Sequence, residues 1–359
     1  MGGTTRGVED HFHNGYHNLA NITAWLSWQV FQNPSLAELV ELGTTYQEKV
    51  IQGIRIGRDA GRGKREVVIV GGAHGREWIT TSTCLYLISH LLSASPSTPG
   101  SASHLDKFSF LIIPVLNPDG YEHTWGRGSD RFWRKNLQPT GSHDWLGREC
   151  KGLDVSRNFP VHFSASSSLT GSGCDSTYPG QEALSSSEAR ALASYLSRSG
   201  EEGEEVLSFI DLHSYGQLIL YPWLSCASAS SDGYASDNAT AATTTTAPPI
   251  PDEEDMAELT LGAARAAKLV HNKVYRAGRG CEVMYSQEGS AVDFAYTARR
   301  GSAQGGDGGA GIKWSFEVEL RDEGSWGFLL PPGQVRDTGE EMAALLDYLL
   351  AFVAGKERL

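Results

Sequence analysis

Apolar residues recur at helical spacing through Asn18–Leu42, where Leu19, Ile22, Trp25 and Leu26 share a face and Pro34 interrupts the pattern, so one or two helices are predicted there. Val50–Ile56 and Arg65–Gly71 instead alternate and carry β-branched residues; with the Gly57–Gly63 turn region between them they read as a hairpin. Thr80–Leu92 has the pattern of a helix, and Phe108–Pro114 that of a buried strand. Ser185–Ser197 reads as a helix, with Ser185 or Ser186 as its N-cap and Glu188 in the first turn. Further on come a strand within Phe209–Tyr221, a helix over Met256–Tyr275, a strand over Lys313–Leu320 and a closing helix over Gly339–Val353. Strands and helices alternate through most of the chain, which implies a layered α/β fold.

Two stretches break this pattern: Ser225–Asp255, rich in Ala, Ser and Thr, and Ala298–Gly311, mainly Gly, Arg and Ala. Both lack the apolar content to pack and are expected to be mobile surface insertions. Residues 1–15 are expected to be a disordered N-terminal segment, leaving 16–359 as one domain.

The apolar runs are all shorter than the ~18 residues a membrane-spanning helix needs. The chain has 359 residues and a formal charge of −13, which leaves no basic patch for nucleic acid. The acidic runs Glu201–Glu205 and Asp252–Asp255 read as solvated loops. Five cysteines are too few for a disulfide scaffold of this size but allow one or two staples in an oxidising compartment. Asn21-Ile22-Thr23 and Asn238-Ala239-Thr240 match the N-glycosylation pattern. Met1-Gly2-Gly3 is followed by polar residues rather than an apolar signal core.

Candidate chemistry sits at Gly71-Gly72-Ala73-His74-Gly75-Arg76-Glu77-Trp78, between a buried strand and a helix. A His and a Glu three residues apart at a strand exit can converge on one ion, and the glycines permit close backbone approach. Catalytic zinc takes three protein ligands and an open position, which calls for a further ligand elsewhere. His213, at the end of the apolar run Phe209-Ile210-Asp211-Leu212-His213, supplies it.

These residues lie within blocks that resemble the carboxypeptidase A/B family of zinc peptidases: Gly72–Ile79, Leu116–Tyr121, Asp130–Asn136, Leu153–Phe159, Phe209–Pro222, Met284–Phe294 and Ser315–Pro331, in family order. The fold expected is a single-domain, three-layer α/β/α sandwich around a mixed, mainly parallel sheet. The resemblance implies one Zn2+ held by His74, Glu77 and His213, with Glu319 as general base and Arg134 stabilising the oxyanion. It implies substrate contacts from Arg76, Arg157 and Tyr285, and from Ser156, which stands where the family has Asn. Asp154 would orient the first histidine. Val292 falls where basic-residue-specific enzymes carry an acid, which implies hydrophobic or aromatic C-terminal residues as substrates; Leu224 and Ser290 would narrow the pocket. Arg131 is expected to line the groove or form a structural ion pair. Cys150 and Cys174 match a family disulfide, Cys226 and Cys281 flank the first insertion as a second candidate pair, and Cys84 is expected to be buried and free.

The expected activity is thus removal of C-terminal residues from peptides or proteins, by a monomer in a secreted, vacuolar or extracellular setting. The stretch before Tyr16 is too short to be the inhibitory pro-segment that family enzymes usually carry. His74–Thr83 and the Cys226/Cys281 pattern also resemble a fungal branch of catalytically silent relatives with cell-wall roles. That branch has typically lost the general base, which Glu319 retains here.

Overall fold

The computed structural model describes residues 11–58, 64–93, 101–165, 172–197, 205–226, 249–297 and 311–359. Residues 1–10, most of the first insertion (227–248) and nearly all of the second (298–310) lie outside the described residues. So do residues 201–204 of the first acidic run and the tripeptide Asn238-Ala239-Thr240.

Helix α1 (Leu19–Gln32) is capped by the Asn18 side chain, which accepts from Asn21 N. Beyond Pro34 the chain forms no second helix but strand β1 (Ala37–Thr44), paired antiparallel with β2 (Val50–Ile56). The turn at 45–49 therefore makes the hairpin. The hairpin predicted between β2 and β3 (Arg65–Val70) does not form: after α2 (Trp78–Leu92) and α3 (Ser101–Lys107), strand β4 (Phe108–Ile113) inserts between them. β4 is buried along its whole length and is most stable with neighbours on both edges.

The chain continues through α4 (Pro118–His123), the small β5–β6 pair (Pro139–His143 and Glu149–Lys151), and α5 (Ser187–Ser197). Ser186 caps α5 by accepting from Ala189 N. The Phe209–Tyr221 region holds two strands, β7 (Val206–Ser214) and β8 (Leu218–Tyr221). Then come α6 (Glu253–His271), β9 (Arg276–Arg279), α7 (Gly280–Val283), α8 (Ala291–Thr297), β10 (Trp314–Leu320) and α9 (Val335–Lys356).

The eight-stranded sheet has the order β1-β2-β4-β3-β7-β10-β8-β9. Pairs β3–β4, β3–β7, β7–β10 and β8–β9 are parallel. Alternate residues of each strand enter opposite cores. Ile69, Phe110, Ile112, Ile210, Leu212, Phe316 and Val318 pack with α1, α2, α6 and α9. Val68, Val70, Leu111, Ile113 and Phe209 pack with α5 and α8. The architecture is the three-layer α/β/α sandwich, in one domain.

Residues 252–255, expected as a solvated loop, open α6 instead. Asp255 pairs with Lys313 and Lys356 at 2.8 and 2.7 Å, and Ile250 just before them is buried. Acid groups in a first helical turn complement the positive end of the helix dipole. Disulfides join Cys150 to Cys174 and Cys226 to Cys281, while Cys84 is buried and free.

Candidate active site

The sheet changes winding direction between β3 and β7: β3 leads to β4 on one side, and the chain returns to lay β7 on the other. The crevice beyond the strand ends at such a point is where open α/β sheets bind ligands. His74 and Glu77 lie on the segment leaving β3. His213 lies near the end of β7 and Glu319 near the end of β10, and the parallel register sets these last two side by side. Gly72, at φ +63°, makes the turn out of β3, and a Cβ there would lie 2.9 Å from the Pro114 carbonyl oxygen. Gly75 packs against the Gly120 carbonyl oxygen with no room for a side chain. Among the described residues three non-proline peptide bonds are cis, Ser214–Tyr215, Pro222–Trp223 and Arg321–Asp322, each just past a strand end.

His74 Nδ1 lies 2.7 Å from Glu77 Oε1, and His213 Nδ1 lies 3.2 Å from both Glu77 Oε2 and His74 Nδ1. All three residues are buried, with one donor atom of each within 4.8 Å of the others. Their outer nitrogens face acids. His74 Nε2 is 2.7 Å from Ser156 Oγ and 3.1 Å from Asp154 Oδ1, and His213 Nε2 is 3.3 Å from Asp211 Oδ2. An imidazole that donates from one nitrogen presents a lone pair on the other. Two such lone pairs and a carboxylate oxygen meeting at one point fit zinc.

The charge balance fits a cation as well. Glu77, Asp154, Asp211, Glu317 and Glu319 are all buried near this point. Burial pushes the Glu319 carboxyl well above its ordinary range, and the charges of Glu317 and Glu77 push the same way. Its Oε2 has no hydrogen-bond partner among the described residues. Burial also opposes ionisation of Glu77, but His74 and His213 outweigh it and hold that group low. For His213 burial favours the neutral ring, yet Asp211 and Glu77 prevail and raise it. Excess buried negative charge beside convergent donors is compensated by a divalent ion.

Asp154 ties the centre together. Its Oδ2 accepts from Arg134 Nε and Nη2 at 2.9 and 2.8 Å, and its Oδ1 accepts from Ser156 Oγ at 3.0 Å. Burial works against this carboxylate, but Arg134 and then His74 hold it far below the usual range. The resemblance has Ser156 facing substrate. Its buried hydroxyl instead sits between His74 and Asp154 and is not among the residues lining the cavity.

That cavity, about 370 Å3, is lined by His74, Glu77, His213, Glu319, Arg134, Arg76, Arg157, Ser214, Tyr215, Met284, Tyr285, Gln287 and Phe328. The exposed Tyr285 places its hydroxyl 3.5 Å from Arg157 Nη2. Arg76 stacks over Phe328, with 4.1 Å from its guanidinium carbon to the ring centre. Arg131 donates to the carbonyls of Arg76 and Phe328 and covers Trp78, so it braces the rim and has no ion pair among the described residues. Val292, on α8, and Leu224 are fully buried in the same core, and Ser290 accepts from Asp293 N; none of the three lines the cavity. Sequence reasoning passed over Gln287, Met284 and Asp211. Asp211 had a legible signal, since it precedes His213 by two strand positions and so shares its face.

A second group of potential ligands, His271, Asp337 and Glu340, is half-buried between α6 and α9. Internal pairing satisfies it: His271 Nε2 meets Glu340 at 2.7 Å, and Asp337 meets Arg321 at 3.4 Å.

Fold and site together define an α/β protein with a buried His–Glu–His group that could hold a metal ion at the ends of its central strands. The chain belongs to the zinc carboxypeptidase family, whose model matches residues 22–345. It is 31% identical to the inactive metallocarboxypeptidase ECM14 of Ajellomyces dermatitidis, over 98% of this chain and 56% of that protein. It is also 31% identical to the Saccharomyces cerevisiae protein of the same name, over 97% of this chain and 73% of that one. The chain thus spans little more than half the length of several curated relatives it matches. Among solved structures it resembles bovine thrombin-activatable fibrinolysis inhibitor in complex with tick carboxypeptidase inhibitor, with a TM-score of 0.77, 27% identity, and coverage of 96% of this chain and 99% of that one. Carboxypeptidase A from Helicoverpa armigera is similar at a TM-score of 0.77 and 25% identity, over 97% and 76% of the two chains.

Proposed function

We propose that this protein is an active zinc-dependent carboxypeptidase that cleaves the C-terminal peptide bond of peptides or proteins, with residues 16–359 forming its catalytic domain. One observation carries the reading: Glu319, a buried carboxylate whose Oε2 has no hydrogen-bond partner among the described residues, lines the same cavity as the His74–Glu77–His213 donor set. His74, Glu77 and His213 would hold the zinc, which would supply a Lewis acid and lower the pKa of water. Glu319 takes a proton from the attacking water and delivers it to the leaving amine. Arg134, held by Asp154 and 3.9 Å from Glu77, offers positive charge where the oxyanion develops. Arg157 provides a planar guanidinium for the terminal carboxylate, with Tyr285 closing over it and Arg76 as an additional contact. The two disulfides suit a secreted, vacuolar or extracellular setting. We read the chain as a monomer.

A second reading is a catalytically silent zinc-binding protein with a role in cell-wall organisation. It is favoured by the relatives named as inactive metallocarboxypeptidases. Zinc-loaded protein incubated with blocked dipeptides of varied C-terminal residues decides between the two. Release of the terminal amino acid supports the first. Stoichiometric zinc with no release from any peptide leaves the second, and failure to bind zinc defeats both.

A further inference from the structure

Behind the metal-binding residues the cavity wall is polar. Gln287 lines the cavity but is itself nearly inaccessible, at 4% exposure. Its backbone N–H donates to the Leu224 carbonyl at 2.8 Å, which fixes the residue. Its side-chain amide nitrogen donates to Glu317 Oε1 at 2.6 Å and to Met284 Sδ at 3.6 Å. Both amide hydrogens are thus engaged within the protein, and the amide oxygen is the polar atom left to offer. Glu317 is 2% exposed and, two positions before Glu319 on β10, faces the same side of the sheet. A buried acid behind a buried amide is costly next to an apolar ligand surface and favourable next to a hydrogen-bond donor.

We infer that Gln287, backed by Glu317, forms the floor against which the substrate's C-terminal side chain rests, and that it selects donor-bearing side chains, cationic ones foremost, over aromatic ones. The inference rests on the carboxypeptidase reading above. A substrate whose terminal carboxylate meets Arg157 and whose scissile carbonyl lies near His74, Glu77 and His213 directs its last side chain toward Met284 and Gln287, which complete the wall. An amide oxygen there accepts a hydrogen bond from an ammonium or guanidinium group, and the Glu317 carboxylate behind it adds charge attraction. A phenyl ring would cover the amide oxygen and leave it without a partner. This floor replaces the apolar one that Val292 predicts.

The test uses two zinc-directed succinates, one with a benzyl side chain and one with a guanidinoalkyl side chain, titrated calorimetrically into the zinc-loaded full chain. Binding is read directly, so the result does not depend on turnover. The guanidino compound is expected to bind about tenfold or more tightly than the benzyl compound, in line with the penalty a polar pocket imposes on a ligand lacking the matching group. Glu317→Gln and Gln287→Leu are expected to reduce that ratio to within about threefold, with zinc content confirming that each variant is folded. Equal binding, tighter benzyl binding, or an unchanged ratio in both variants overturns this inference alone. Binding of neither compound to protein that holds zinc overturns the carboxypeptidase reading and this inference with it.

Discussion

Asp154→Asn tests whether one buried carboxylate holds both His74, the proposed metal ligand, and Arg134, the proposed oxyanion stabiliser. Asp154 is fully buried, and Arg134, at 9% side-chain exposure, gives it two hydrogen bonds at 2.9 and 2.8 Å. The asparagine keeps the shape but removes the guanidinium's hydrogen-bonded counter-charge, leaving only Glu77 at 3.9 Å. Removing one partner of a buried pair costs about 3–5 kcal/mol. For a chain of this size that corresponds to a fall in Tm of roughly 5 °C. The same change weakens the support of His74, for which loss of a ligand's outer partner typically lowers metal affinity about 10–100-fold.

Thermal melts of the metal-free protein read the first effect, and zinc competition against a chromophoric chelator reads the second. The pH dependence adds a sign. Because the folded pKa of Asp154 is depressed, its contribution is fully present above the unfolded value of about 3.9 and is lost as pH falls through the folded value. The gap between wild type and variant should therefore narrow in acid. A variant that melts within about 1 °C of wild type at neutral pH and binds zinc within about twofold refutes the bridging role.

Glu319→Gln should retain stoichiometric zinc and lose about 10²–10⁴-fold in turnover; retained turnover would place the base elsewhere. Lys135 is buried, donates to the Gly173 carbonyl at 2.8 Å, and is pushed by burial down to about 8. Between that value and about 10.4 the unfolded chain binds a proton the folded chain lacks, so this group makes stability rise with pH, by about 3 kcal/mol in all. Lys135→Met should flatten that rise in denaturant titrations at pH 7 and 10, and an unchanged slope counts against it. Gly75→Ala should reduce both Tm and zinc affinity, because the Cβ meets the Gly120 carbonyl oxygen and displaces the turn carrying His74 and Glu77. Normal zinc binding in a folded variant would show that the turn has room.

The sequence by itself determined the parts written in local pattern and motif. Short apolar, β-branched runs marked β4, β7 and β10, and the ends of β7 and β10 carry His213 and Glu319. His74 and Glu77 were legible because one short glycine-containing turn holds both, and His213 because it ends an apolar strand. Tertiary structure decided the rest. Pairing, not period, made residues 37–44 a strand: Leu36, Leu39 and Val40 fit helical spacing, but β2 offered an open edge. The same competition placed β4 between β2 and β3, since its largely apolar residues needed neighbours on both sides. The contact of Ser156 with His74 and the pairing of Gln287 with Glu317 join residues far apart in the chain. No local periodicity encodes such contacts; they arise when separate elements close on one cavity and each buried polar group must find a partner.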